Sequence, residues 1–141
     1  MDSTARAVWR GGLTDGKGEL EAASGALAAT PYSFETRFEG AAGTNPEELV
    51  AAAHAGCYAM ALAMILGEEG FAPERIDAEA RVSLKGREGG FAITNSHLTV
   101  RAEVPGADAD AFAKAAATAK SGCPVSKALT AEITLDAALA G

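Results

Sequence analysis

The spacing of apolar positions changes several times along the chain, and each change marks an element. Residues 4–10 and 17–23 read as short strands around the turn Gly11-Gly12-Leu13-Thr14-Asp15-Gly16, with a further extended piece expected from Gly25 onward. Residues 30–38 alternate weakly and lead into a glycine-bearing loop, so an extended segment is predicted there. From Asn45 the pattern turns helical: Asn45 suits an N-cap, Pro46 the first helical position, and Glu47 and Glu48 complement the free N–H groups of a first turn. This helix should end near Gly67 or Gly70, ahead of Pro73. Residues 77–85 alternate without a fault and place Ala78, Ala80, Val82 and Leu84 on one face of a half-buried strand. After a turn at 86–90, Phe91 and Ile93 fall on one parity and Leu98, Val100, Ala102 and Val104 on the other, which predicts a hairpin with a bulge or bend near 95–97. Residues 108–120 read as an alanine-rich helix and residues 131–137 as a last strand. The order of elements gives a single α+β domain over residues 1–141, with antiparallel sheet.

Composition narrows what such a domain can do. The chain has 141 residues, 48% apolar and 22% charged, with a net charge of −7. That acidity, with no Lys/Arg cluster, removes the attraction to phosphate backbones on which nucleic-acid binders depend. Only 6% of the residues are aromatic, so the core is short of large side chains and a second copy of the chain would help to complete it. The run from 49 to 66 has the length of a membrane span, but it carries His54, Gly56 and many alanines, so a buried core helix is expected and no membrane partner. No secretory signal is visible at the N-terminus, which favours a cytoplasmic location. There a disulfide staple would not persist, so Cys57 and Cys123 are either inert packing or redox chemistry.

The cysteines occupy different electrostatic settings. Cys57 falls in mid-helix on a face with Ala53, Met60, Ala61 and Met64, where the N–H groups are already bonded, so a thiolate there needs a separate cation. Arg37 and His54 are the candidates. Cys123, in Ser121-Gly122-Cys123-Pro124-Val125-Ser126-Lys127, sits where a loop feeds a short helix begun by Pro124, and faces free N–H groups. Helix electrostatics alone therefore makes Cys123 the more acidic thiol and the first choice of nucleophile. Two cysteines and two histidines (His54, His97) lack paired metal-ligand spacing, so no metal or other cofactor is expected, and no nucleotide or serine-hydrolase motif is present.

The segments Gly43-Thr44-Asn45-Pro46-Glu47-Glu48-Leu49-Val50-Ala51-Ala52-Ala53-His54-Ala55-Gly56-Cys57 and Ser121-Gly122-Cys123-Pro124-Val125-Ser126-Lys127-Ala128-Leu129 closely resemble the OsmC/Ohr superfamily of thiol-dependent hydroperoxide reductases. His54, and Arg37 within Thr36-Arg37-Phe38-Glu39, resemble its OsmC branch. The resemblance implies an OsmC-like fold, with antiparallel sheets packed on a central helix that carries the first cysteine, and an intertwined homodimer. It also implies an organic hydroperoxide substrate and a thiol or dithiol reductant. It assigns peroxide attack to Cys57 and resolution to Cys123, against the N-cap argument. Arg37 would activate the thiolate, Glu47 would hold Arg37, and His54, Met60 and Met64 would line the substrate pocket. Two other readings are a non-catalytic protein that binds an apolar ligand in the same fold, and a cysteine hydrolase using Cys57 with His54.

Overall fold

The computed structural model describes residues 1–140, and these form two compact units, residues 1–49 and residues 50 onward. In the first unit β1 (Ala5–Arg10), β2 (Lys17–Ala22) and β3 (Thr30–Tyr32) form an antiparallel sheet in that order. Gly18 on β2 leaves room for the rings of Trp9 and Tyr32, which pair at 5.5 Å between centroids; a β-carbon there would collide with both. The extended segment expected over 30–38 stops early. Only Thr30–Tyr32 is strand, and Phe34–Phe38 is a short helix, α1, so Arg37 is presented from a helix. The reason is a reciprocal cap: Thr36 N–H donates to Ser33 Oγ (3.3 Å) and Ser33 N–H donates to Thr36 Oγ1 (2.9 Å).

Helix α2 (Pro46–Glu68) begins as its sequence predicts. Glu48 N–H donates to Asn45 Oδ1 at 2.9 Å, and Asn45 Nδ2 donates to the Thr36 carbonyl at 3.2 Å, fixing the start of α2 to the end of α1. In length and composition α2 could also cross a membrane. Its buried positions, however, include a hydrogen-bonded histidine and tyrosine: His54, Tyr58, Leu62 and Leu66, at a spacing of four, have no exposed surface.

In the second unit β4 (Arg75–Arg87) and β5 (Gly90–Glu103) form a long antiparallel hairpin closed at Glu88-Gly89, where Gly89 takes φ +89°. Ser83 pairs with Asn95 and Leu84 with Ile93, so Thr94 is bulged out of the ladder. That extra residue causes the change of parity read in the sequence, one residue ahead of the expected place. After β5 come α3 (Ala109–Gly122), capped by Asp108, and α4 (Pro124–Ala128), and then β6 (Glu132–Leu139). β6 pairs with β5 in parallel, which corrects the expectation of purely antiparallel sheet. The two helices between them form a crossover that returns the chain to the end of the sheet where β5 began. The core of this unit joins Tyr58, Leu62 and Leu66 of α2, Leu98, Val100 and Ala102 of β5, and Phe112, Ala115, Ala116 and Ala119 of α3. The α+β class and the packing of sheet on the cysteine-bearing helix are as expected.

Candidate active site

Cys57 lies on α2 and Cys123 between α3 and α4, where it closes one helix and opens the next. Both are free thiols, with their sulfurs 2.9 Å apart. Their exposures differ: Cys123 has no accessible surface, whereas Cys57 is half-buried. At this separation the pair shares a proton, and the environment divides its titration. Burial pushes the Cys57 thiol up, helped by its bond to Cys123 and opposed by the Val125 N–H. Burial also pushes Cys123 up, but bonds from Cys57, from the Ser126 N–H and hydroxyl, and from the Val125 N–H outweigh it and leave Cys123 below its ordinary value. The electrostatic order is therefore the one the N-cap argument gives, with accessibility reversed.

His54 was expected on a pocket wall. Instead it is completely buried, with Nδ1 2.6 Å from Ser96 Oγ and Nε2 2.7 Å from Ser126 Oγ. Burial pushes its pKa down, so the ring is held neutral. Beside it the Tyr58 hydroxyl donates to the Ala116 carbonyl at 3.0 Å, and burial with the nearby Cys123 pushes its pKa up to about 12. Met60 and Met64 are 77% and 60% exposed, on an open stripe of α2 with Ala52, Ala53 and Gly56. Met60 borders a cavity of about 270 Å³ whose other walls include Ala59, Ala63, Pro73 and Ile76.

In the first unit, Arg37 of α1 and Glu47 of α2 form a two-pronged ion pair: Nη2 to Oε1 is 2.6 Å, and Nε is 3.2 Å from both carboxylate oxygens. Glu47 is buried and the Arg37 side chain is 35% exposed, so the guanidinium keeps an open side. That side belongs to a cavity of about 260 Å³ whose other walls include Trp9, Leu13, Tyr32, Phe34 and Phe38. The sequence did not point to this aromatic cavity or to Ser96 and Ser126. Among the described residues no three His, Cys, Asp or Glu side chains converge on a common point that would hold a metal.

A half-exposed cysteine touching a buried one, inside an α+β unit, defines a thiol-based redox protein. The chain belongs to the OsmC-like protein family, whose sequence profile matches residues 38–138. It is 53% identical over 131 residues to the peroxiredoxin OsmC of Escherichia coli K12, covering 93% of this chain and 92% of that protein, and the Shigella flexneri peroxiredoxin OsmC matches equally. The crystal structure of the organic hydroperoxide resistance protein OhrB of Bacillus subtilis covers 97% of the chain and is itself covered to 98%, with 29% identity and a TM-score of 0.72. An OsmC-like protein of unknown function from Vibrio cholerae shares the fold, with a TM-score of 0.78 at 17% identity and coverages of 98% and 99%. By this kinship the protein is a thiol-dependent peroxidase.

Proposed function

We propose that the protein reduces organic hydroperoxides, and hydrogen peroxide more weakly, to alcohols (or water) through a sulfenate on Cys57 that Cys123 resolves. The observation that carries this reading is the cysteine pair: two sulfurs in contact, only one of them open to a substrate. The Cys57 thiolate attacks the terminal oxygen of ROOH, the O–O bond breaks, and RO⁻ leaves and takes up a proton. The resulting Cys57–SOH is attacked by the Cys123 thiolate, forming a disulfide and releasing hydroxide, which is protonated to water. A thiol or dithiol reductant, itself oxidised to a disulfide, returns both cysteines to thiols.

The first step needs negative charge on Cys57, whereas the resting pair favours Cys123. Passing the shared proton from Cys57 to Cys123 supplies that charge. Arg37 is the cation proposed to favour it and to stabilise the departing oxygen, and Glu47 holds the guanidinium in one orientation. The open stripe of Met60 and Met64 supports a homodimer in which a second copy covers α2. In this reading residues 1–141 serve as one functional domain of a soluble cytoplasmic enzyme that uses no cofactor or metal.

The test is peroxide consumption by two variants. Cys57→Ser should lose all multiple-turnover activity, and Cys123→Ser should consume about one equivalent per site and then stall. Continued turnover by Cys57→Ser would transfer the nucleophile's role to Cys123. No consumption even by the unmodified protein would favour a binding protein or a cysteine hydrolase instead.

A further inference from the structure

We infer that Ser126, His54 and Ser96 form a buried hydrogen-bonded chain that positions and stabilises the Cys123 thiolate, and so governs the resolving step rather than peroxide attack. The inference rests on the reading that Cys57 attacks and Cys123 resolves. Its elements come from three places in the fold: His54 from α2, Ser96 from β5 and Ser126 from α4, joined by bonds of 2.6 and 2.7 Å. His54 and Ser96 have no exposed surface and Ser126 has 9%, so neither bond is shared with bulk water. His54 and Cys57 are three residues apart on α2, as are Cys123 and Ser126 at the opening of α4, so the His54–Ser126 bond and the Cys57–Cys123 contact are neighbouring rungs that set the Ser126 hydroxyl beside the Cys123 sulfur, in keeping with its part in lowering the Cys123 pKa.

The chemistry of the groups gives this chain a direction. A neutral imidazole has one donor nitrogen and one acceptor nitrogen, so of its two hydroxyl partners one must accept and the other donate. A thiolate accepts only. When Cys123 is ionised, Ser126 O–H points at the sulfur, its oxygen accepts from His54 Nε2–H, and His54 Nδ1 accepts from Ser96 O–H. Every donor then points toward the charge. When Cys123 is protonated that demand disappears and the chain is free to run the other way. The tautomer of His54 is thereby tied to the charge on Cys123, with no ionic group in the chain. Among the side chains that act on or near Cys123, Cys57 and Tyr58 come from α2 and Ser126 from α4, and Tyr58 already donates to Ala116 O. Ser126 is thus the side-chain hydroxyl left to stabilise the thiolate.

Disulfide formation needs Cys123 as a thiolate, while the attack on peroxide needs the charge on Cys57, so a chain that holds the charge on Cys123 favours resolution and does not assist the attack. Ser126→Ala removes the link with almost no change of volume. Rapid mixing with one equivalent of tert-butyl hydroperoxide separates the two steps, and dimedone trapping with peptide mapping locates the sulfenate. Ser126→Ala should slow disulfide formation about tenfold, the size of one lost hydrogen bond to a charged group. The dimedone-trapped fraction on Cys57 should rise, and the acid limb of the pH profile for resolution should move to higher pH. The attack rate should not fall, because a weaker Cys123 thiolate leaves more of the pair's charge on Cys57, and Ser126→Thr should restore resolution. His54→Gln, which keeps a donor on the side chain, should fall between the two serine variants. Resolution with an unaltered rate and pH profile in Ser126→Ala would overturn the inference, as would equal slowing of both steps. A dimedone adduct mapped to Cys123 would overturn the underlying site reading as well, and it is read from the position of the adduct rather than from any rate.

Discussion

Tyr58 offers a measurable link between the core and the cysteine pair. Its hydroxyl has no exposed surface and donates to the Ala116 carbonyl at 3.0 Å, and burial with the nearby Cys123 pushes its pKa up to about 12. Tyr58→Phe removes the hydroxyl and leaves the ring. Because Ala116 lies inside α3, its carbonyl keeps its helical partner, so at pH 7 the loss should cost about 1 kcal/mol, that of one neutral hydrogen bond. In the unfolded chain the phenol titrates at about 10, so its folded value is raised and the neutral form is the one that folding favours. The stability this supplies is complete below pH 10 and is lost as pH rises from 10 through 12. With those two values the wild type loses about 1.4 kcal/mol by pH 11 that the Phe variant does not. Their difference should therefore shrink to nothing at about pH 10.7 and be reversed, by about 0.4 kcal/mol, at pH 11. Urea denaturation of both proteins at fixed protein concentration, with reductant present, from pH 8 to 11.5 gives that difference, and groups common to both proteins cancel. A difference that stays constant over this range would refute the buried, raised phenol. Cys123→Ser should leave the onset of the alkaline loss at the unfolded value and end it at lower pH, because less repulsion on the phenolate lowers the folded value.

Arg37→Met should raise the Cys57 pKa and slow peroxide attack about tenfold at neutral pH, measured by thiolate absorbance against pH and by rapid mixing; an unchanged titration would place activation elsewhere. His54, held neutral by burial, should make stability fall as pH drops below about 6.5, the ordinary unfolded value, until its lowered folded value is passed. His54→Gln should flatten that part of the acid limb of the stability profile. If the open stripe of α2 is covered by a second copy, unfolding free energy should rise by about 1.4 kcal/mol for each tenfold increase in protein concentration, and a compact active monomer in light scattering would contradict it.

What could be read from the sequence was local. Asn45-Pro46 set the start of α2 because a cap and a first-turn proline act within four residues, and the alternation over β4 set its inward face. The change of parity in β5 located the bulge because one extra residue inverts every later side chain. The direction of β6 was not legible: alternation reports which face is buried and is blind to whether a neighbour runs parallel. α1 was missed because its cap uses Thr36 in place of the usual Glu or Gln, although Ser33 with Thr36 three residues on is a usable signal. His54 was taken for a pocket wall because its partners lie 42 and 72 residues away in sequence, where no local pattern reaches.

The most direct test of the proposed chemistry is the mass of the protein, and of its proteolytic peptides, after one equivalent of an organic hydroperoxide with thiol-blocking on quenching. The contact between the two sulfurs predicts loss of two hydrogens from the intact chain and a single cross-linked peptide pair joining Cys57 to Cys123. Two unoxidised, fully blockable cysteines after the peroxide has been consumed, or a stable oxygen adduct confined to Cys123, would contradict it.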